Sequence, residues 1–292
     1  MEQLNLKKEY LITSDNVRLC YYYTDEGKQW MILSNGLGAN HLSWKYIIEY
    51  FSSKYRFLTW DYRGLYESKV PTDLQNFSIK AHVDDLFQLI EKLNIDKAIF
   101  VGWSIGVQVN FEFYKKYPEK VLAFVLINGS YGRLFERIIR ISSKYFFPRL
   151  TSIIENHPEF LVKLAKEITK HNSLIKLLKY LQLISPTIDE ELFLEIAYKF
   201  VDIDLKNFVK IFRAMEEHDL SDIFDKIEVP TLIIAGRSDR FTSVRLAKKM
   251  KNRIPNAELM IIPGGTHYLL LEYPEIVALR MEKFFIEHNL YP

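Results

Sequence analysis

Apolar residues along this chain follow two spacings, and where each prevails predicts most of the fold. Short runs that are apolar almost throughout, Trp30–Ser34, Arg56–Trp60, Lys97–Val101 and Val121–Ile127, alternate with longer segments in which apolar positions recur every three or four residues, His41–Phe51, Ile79–Leu93 and Ile105–Tyr117. The first kind predicts strands buried on both faces, the second amphipathic helices. Their alternation predicts parallel β-α-β units joined by right-handed crossovers, with helices on both faces of one sheet. Ahead of them, Glu9–Thr13 and Val17–Thr24 flank the turn-like Ser14-Asp15-Asn16 and predict a hairpin.

The alternation stops near Gly129 and resumes near Pro230, with strand Thr231–Ala235, helix Val244–Ile254, strand Glu258–Ile262 and helix Pro274–His288. The roughly one hundred residues between carry helical periodicity and hardly a strand signal. The pattern predicts an α/β core made of residues 1–130 and 226–292, a mostly parallel sheet of about eight strands, and a helical insertion over residues 131–225. Such an insertion would project over the carboxyl ends of the strands, where open α/β sheets hold their ligands, and is expected to cap a pocket there.

Composition narrows the class. Among 292 residues, 48% are hydrophobic, enough for a large core, and the formal charge of +2 offers no footprint for nucleic acid. Cys20 is the only cysteine, which excludes an intrachain disulfide or a cysteine-rich metal site and fits a reducing compartment. Residues Met1 to Lys8 lack an apolar leader, and nowhere do about eighteen apolar residues run uninterrupted, so a soluble cytoplasmic protein is expected. Within the insertion, Arg133, Arg137, Arg140 and Lys144 form one basic helical stripe beside Leu134, Ile138 and Ile141. That stripe reads as a solvated face, with contact to an anionic lipid surface or to an acidic substrate head group as the alternative use.

The chemistry concentrates at Gly102-Trp103-Ser104-Ile105-Gly106. A sharp strand-to-helix reversal strains the backbone of its central serine and leaves space only for very small residues two positions to either side, where the glycines stand. A serine hydroxyl attacks a carbonyl only if a histidine takes its proton and a carboxylate orients that histidine. The histidines are His41, His82, His157, His171, His218, His267 and His288. His82 lies on a helix before the serine strand, His157, His171 and His218 lie in the insertion, and His288 closes the last helix. His267 follows strand Glu258–Ile262 and the loop Pro263-Gly264-Gly265-Thr266, at the sheet edge where Ser104 is expected. Asp239, beyond Thr231–Ala235 and Gly236-Arg237-Ser238, is the expected orienting carboxylate. Acyl transfer also needs two N–H groups aimed at the oxyanion. Ile105 supplies one at a helix start, and Leu37, between Gly36 and Gly38 in the loop after Trp30–Ser34, is expected to supply the other. A dinucleotide-phosphate loop is disfavoured there, because His41 stands where the third glycine belongs.

With these residues in place the chain resembles the α/β-hydrolase superfamily over essentially its full length outside the insertion. Asn35-Gly36 with Trp44, Asp61-Tyr62-Arg63-Gly64 ending at Ser68, the serine turn, Val229-Pro230-Thr231 leading to Gly236 and Asp239, and Pro263-Gly264-Gly265-Thr266-His267 followed by Glu272-Tyr273-Pro274 carry the resemblance. It implies Ser104, Asp239 and His267 as a triad, the Leu37 and Ile105 amides as the oxyanion hole, and Trp103 beside the substrate pocket. A serine at 104 is unlike the dehalogenase and epoxide-hydrolase branches, which use aspartate. The chain differs from frequent family patterns at Asn35, at Leu65-Tyr66-Glu67 and at Val107. The resulting expectation is a hydrolase of carboxylic esters with an apolar acyl or alcohol portion, needing neither metal nor organic cofactor. A carbon–carbon bond hydrolase, an acyltransferase or a cofactor-free perhydrolase would use the same residues, and a ligand-sensing protein on the same scaffold is the alternative outside enzymes.

Overall fold

A computed structural model describes residues 6–73, 76–132, 156, 159, 167 and 173–292. Its eight strands are β1 (Lys7–Ile12), β2 (Arg18–Tyr23), β3 (Gln29–Ser34), β4 (Tyr55–Trp60), β5 (Ala98–Trp103), β6 (Val121–Ile127), β7 (Thr231–Gly236) and β8 (Glu258–Ile262). They form one sheet in the order β1-β2-β4-β3-β5-β6-β7-β8. The hairpin β1–β2 and the β2–β4 pair are antiparallel, and every later pair is parallel. The order reverses direction at β3 and β5, the crevice where such sheets bind ligands.

Alternate residues of the central strands feed two cores. Ile32, Leu58, Phe100 and Phe124 face one side with helices α2 (Ile79–Lys92) and α3 (Gly106–Lys116). Met31, Leu33, Val101 and Val125 face the other, with α1 (Lys45–Phe51) and the carboxyl-terminal helix (Pro274–Glu287). Both faces are therefore covered, which is why the strand sequences read as unbroken apolar runs.

Two local expectations change. The segment expected as one helix from His41 divides into a 3₁₀ turn, His41–Trp44, and α1, because the Asn40 side chain accepts from Leu42 N–H and tightens the entry. A one-turn helix, Leu269–Glu272, fills what reads in sequence as loop after His267, its three leucines all buried.

Between β6 and β7 the described chain is helical: α4 (Ser173–Tyr180), α5 (Glu190–Val201) and α6 (Leu205–Glu217). Asp189 caps α5 by accepting from Leu192 N–H, and Asp204 caps α6 through Lys206 and Asn207 N–H. The connection leaves and returns at one point, where Gly132 bridges Asp219 and Leu220 N–H donates to Tyr131 C=O at 2.9 Å. The basic stripe Arg133, Arg137, Arg140 and Lys144 lies outside the described residues. No described helix is long and apolar enough to cross a membrane.

Candidate active site

Ser104 sits between β5 and α3 with φ +57°, the left-handed region that non-glycine residues rarely occupy. Its N–H donates to Ile127 C=O at 3.1 Å, tying the strained turn to β6. A Cβ added at Gly106 would stand 2.1 Å from Ser34 C=O, and one at Gly102 would stand 2.9 Å from the Gly106 carbonyl carbon. Both positions therefore require glycine on contact grounds.

His267 and Asp239 come from the loops after β8 and β7. His267 Nδ1 lies 2.8 Å from Asp239 Oδ2. Around that pair the Asp239 carboxylate is saturated with donors: Phe241 and Thr242 N–H reach Oδ1 at 2.7 and 2.8 Å, and Thr242 Oγ1 reaches Oδ2 at 2.6 Å. Burial alone would push this carboxyl up, but the charge and hydrogen bond of His267 and the Thr242 donors outweigh it and hold it below the usual range. Trp103 Nε1 donates to His267 C=O at 2.9 Å, and Asn128 Nδ2 donates to Thr266 C=O at 2.7 Å, so the histidine loop is pinned to β5 and β6.

The loop after β3 is fixed as tightly. Asn35 Nδ2 donates to Trp60 C=O and its Oδ1 accepts from Trp44 Nε1, each at 2.7 Å, while Tyr62 Oη donates to Asn35 C=O at 2.7 Å. Tyr66 Oη donates to Gly38 C=O. Asn35 and Tyr66, two of the positions that depart from the family pattern, are thus the side chains that shape this loop. Among the described residues, neither Leu37 N–H nor Ile105 N–H donates to a protein acceptor.

Ser104, His267, Trp103, Leu37 and Gly38 line one cavity of about 460 Å³. Helices α5 and α6 add Phe193, Ile196, Phe200, Phe208, Phe212 and Met215 to its wall, and among the described residues no acidic or basic side chain other than His267 lines it. The remaining described histidines stand elsewhere. His41 stacks on Tyr22, His82 is buried against Tyr62, and His218 and His288 pair with Glu112 and Glu258. His157 and His171 lie outside the described residues. Among the described residues no group of three His, Cys, Asp or Glu could hold a metal ion.

Sequence reasoning missed Thr242 and Asn128, and did not single out the phenylalanines of α5 and α6 within an insertion rich in Ile, Leu, Phe and Tyr. These phenylalanines carried a signal: Phe193, Ala197 and Phe200, and Phe208, Phe212 and Met215, recur at helical spacing and mark one apolar face each.

Residues 29–274 match the family model described as the α/β hydrolase fold. Human epoxide hydrolase 4 is 25% identical over 91% of this chain and 75% of its own length. A pimeloyl-acyl-carrier-protein methyl ester esterase of Hamiltonella defensa is 25% identical over 90% of this chain and 97% of its own. An esterase from Exiguobacterium antarcticum superposes with TM-score 0.79 at 17% identity, covering 95% of this chain and 99% of that one. The extent of the family match, on a fold of the corresponding topology, makes this chain a member of the α/β-hydrolase family and a hydrolase.

Proposed function

We propose that the protein hydrolyses carboxylic esters carrying an apolar, uncharged portion, with Ser104, His267 and Asp239 as a catalytic triad and the α4–α6 connection as a cap. One observation carries this reading: a serine held at φ +57° shares the wall of one cavity, whose other described lining residues are uncharged, with a histidine already paired, at 2.8 Å, to a buried carboxylate. Ser104 Oγ bonds to the ester carbonyl carbon as its proton passes to His267 Nε2. The carbonyl oxygen becomes an oxyanion, and the Leu37 and Ile105 N–H groups, which have no acceptor among the described residues, are the donors assigned to it. Collapse of the tetrahedral adduct breaks the bond to the alcohol oxygen, which leaves with the proton from His267. Water, deprotonated by the same histidine, then attacks the acyl-enzyme, releasing the acid and restoring the serine.

Similarity to an epoxide hydrolase does not transfer its reaction. An epoxide opened by a carboxylate leaves an enzyme ester that water can cleave, whereas one opened by Ser104 would leave an ether that it cannot. A fluorophosphonate is expected to label Ser104, and Ser104→Ala to abolish turnover of short aryl and alkyl esters. Folded protein that neither takes the label nor turns over any ester would overturn the reading.

A further inference from the structure

The cavity is walled by aromatic rings in two sets. From the insertion, Phe200 stands 5.4 Å from Phe208 at 85°, and Phe208 lies 6.4 Å from Phe212 at 21°. Around the strand ends, Trp103 lies 6.0 Å from Tyr268 at 63° and Phe241 is 5.2 Å from His267, and Phe193 of α5 links the two sets, 5.3 Å from Tyr268 at 87°. These are the edge-to-face and offset arrangements that ring quadrupoles favour. Gly38, in the loop after β3 that lines the same cavity as Ser104, leaves room for the Phe200 ring: a Cβ there would meet it at 2.4 Å. The aromatic wall therefore begins next to the oxyanion loop rather than at a remote end of the cavity.

We propose that the group this cavity selects is a flat, uncharged aromatic ring, so that the preferred substrates are aryl-bearing esters. The inference rests on the ester-hydrolase reading above. An arene placed between the two ring sets continues both networks, presenting edges to some faces and a face to other edges. A flexible alkyl chain gains only dispersion from the same walls and gives up rotamer freedom as it enters. Among the described residues the lining holds no lysine or arginine to meet a carboxylate or phosphate, which favours neutral substituents on the ring.

Matched pairs test the ring itself: methyl phenylacetate against methyl cyclohexylacetate, and benzyl acetate against cyclohexylmethyl acetate. Apolar area alone favours the saturated member, which is larger and more hydrophobic. The expected result is the reverse, kcat/KM higher for the arene by about 5-fold in at least one pair, the effect of one well-placed ring contact. Phe208→Leu should lower that ratio, and because both rates come from the same preparation the ratio is insensitive to the fraction folded. Equal rates, or preference for the cyclohexyl member in both pairs, overturn the aromatic inference while leaving the ester reading intact. No turnover of any of the four esters overturns the ester reading itself.

Discussion

Asp239 receives more hydrogen bonds than orienting a histidine requires, and the surplus makes one substitution informative. Its Oδ1 accepts from two backbone N–H groups, those of Phe241 and Thr242, while Oδ2 faces His267 Nδ1. In Asp239→Asn, the amide oxygen has to take the Oδ1 position, since an NH₂ there would meet two donors. The NH₂ is then left facing Nδ1 and favours the imidazole tautomer that carries its proton on Nε2. That nitrogen can no longer accept the Ser104 proton. The expected outcome is a fall in kcat on the order of 10³- to 10⁴-fold with the fold retained, measured by steady-state ester hydrolysis and circular dichroism of the same sample. Loss of less than about tenfold would mean that Asp239 does not set the tautomer.

At the level of elements, Glu272 joins two parts of the molecule that are distant in sequence. Its carboxylate is buried at the end of the short helix Leu269–Glu272 and accepts from Thr266 N–H at 2.7 Å, Thr266 Oγ1 at 2.5 Å and Ser185 N–H at 2.8 Å. Thr266 precedes His267, and Ser185 opens the turn that leads into α5, whose Phe193 and Phe200 line the cavity. Asp189 N–H donates to Leu271 C=O at 3.1 Å, strengthening the same junction. Burial pushes the Glu272 carboxyl up despite these donors. Every partner of Glu272 is a donor in these contacts, so Glu272→Gln sets an amide NH₂ against one of them, costing about 1–3 kcal/mol. Amide exchange should accelerate together in residues 185–201 and 265–268; acceleration in only one segment would show that the two are not coupled through this side chain. None of this was readable beforehand, because Glu272 and Ser185 lie 87 residues apart. The strands and crossover helices were readable, because burial on both faces writes a run of apolar residues and burial on one face writes a helical stripe. The serine turn was readable because contact with Ser34 C=O forbids any side chain at Gly106. The 3₁₀ turn at His41 and the helix after His267 were not: the first rests on one local cap from Asn40 that apolar periodicity does not register, and the second on burial of three leucines against the rest of the fold.

At the scale of the whole molecule, two of the described buried groups, Asp61 and His82, act against each other as pH falls. Asp61 lies beneath Tyr22, with Oδ2 accepting from Tyr22 Oη and Glu67 N–H at 3.3 Å each, and burial pushes its carboxyl up to about 7. His82 is fully buried against Tyr62 near the Arg63 guanidinium, and burial pushes it down to about 3. An unfolded aspartate protonates near 3.9, so between about pH 7 and 4 the folded chain holds an Asp61 proton that the unfolded chain has lost, and stability gains as pH falls. An unfolded histidine protonates near 6.5, so below that pH the unfolded chain gains a proton that folded His82 refuses, and stability is lost on the way to about 3. Each site contributes a slope of at most about 1.4 kcal/mol per pH unit, with opposite sign. Single variants separate them because all other titrating groups cancel in the difference from wild type. Between pH 7 and 4.5, wild type should become progressively more stable relative to Asp61→Asn. Below pH 6.5, wild type should become progressively less stable relative to His82→Leu. Urea denaturation at a series of pH values reads both differences, and a curve running parallel to wild type for either variant would mean that the residue is not held in the protonation state its burial imposes.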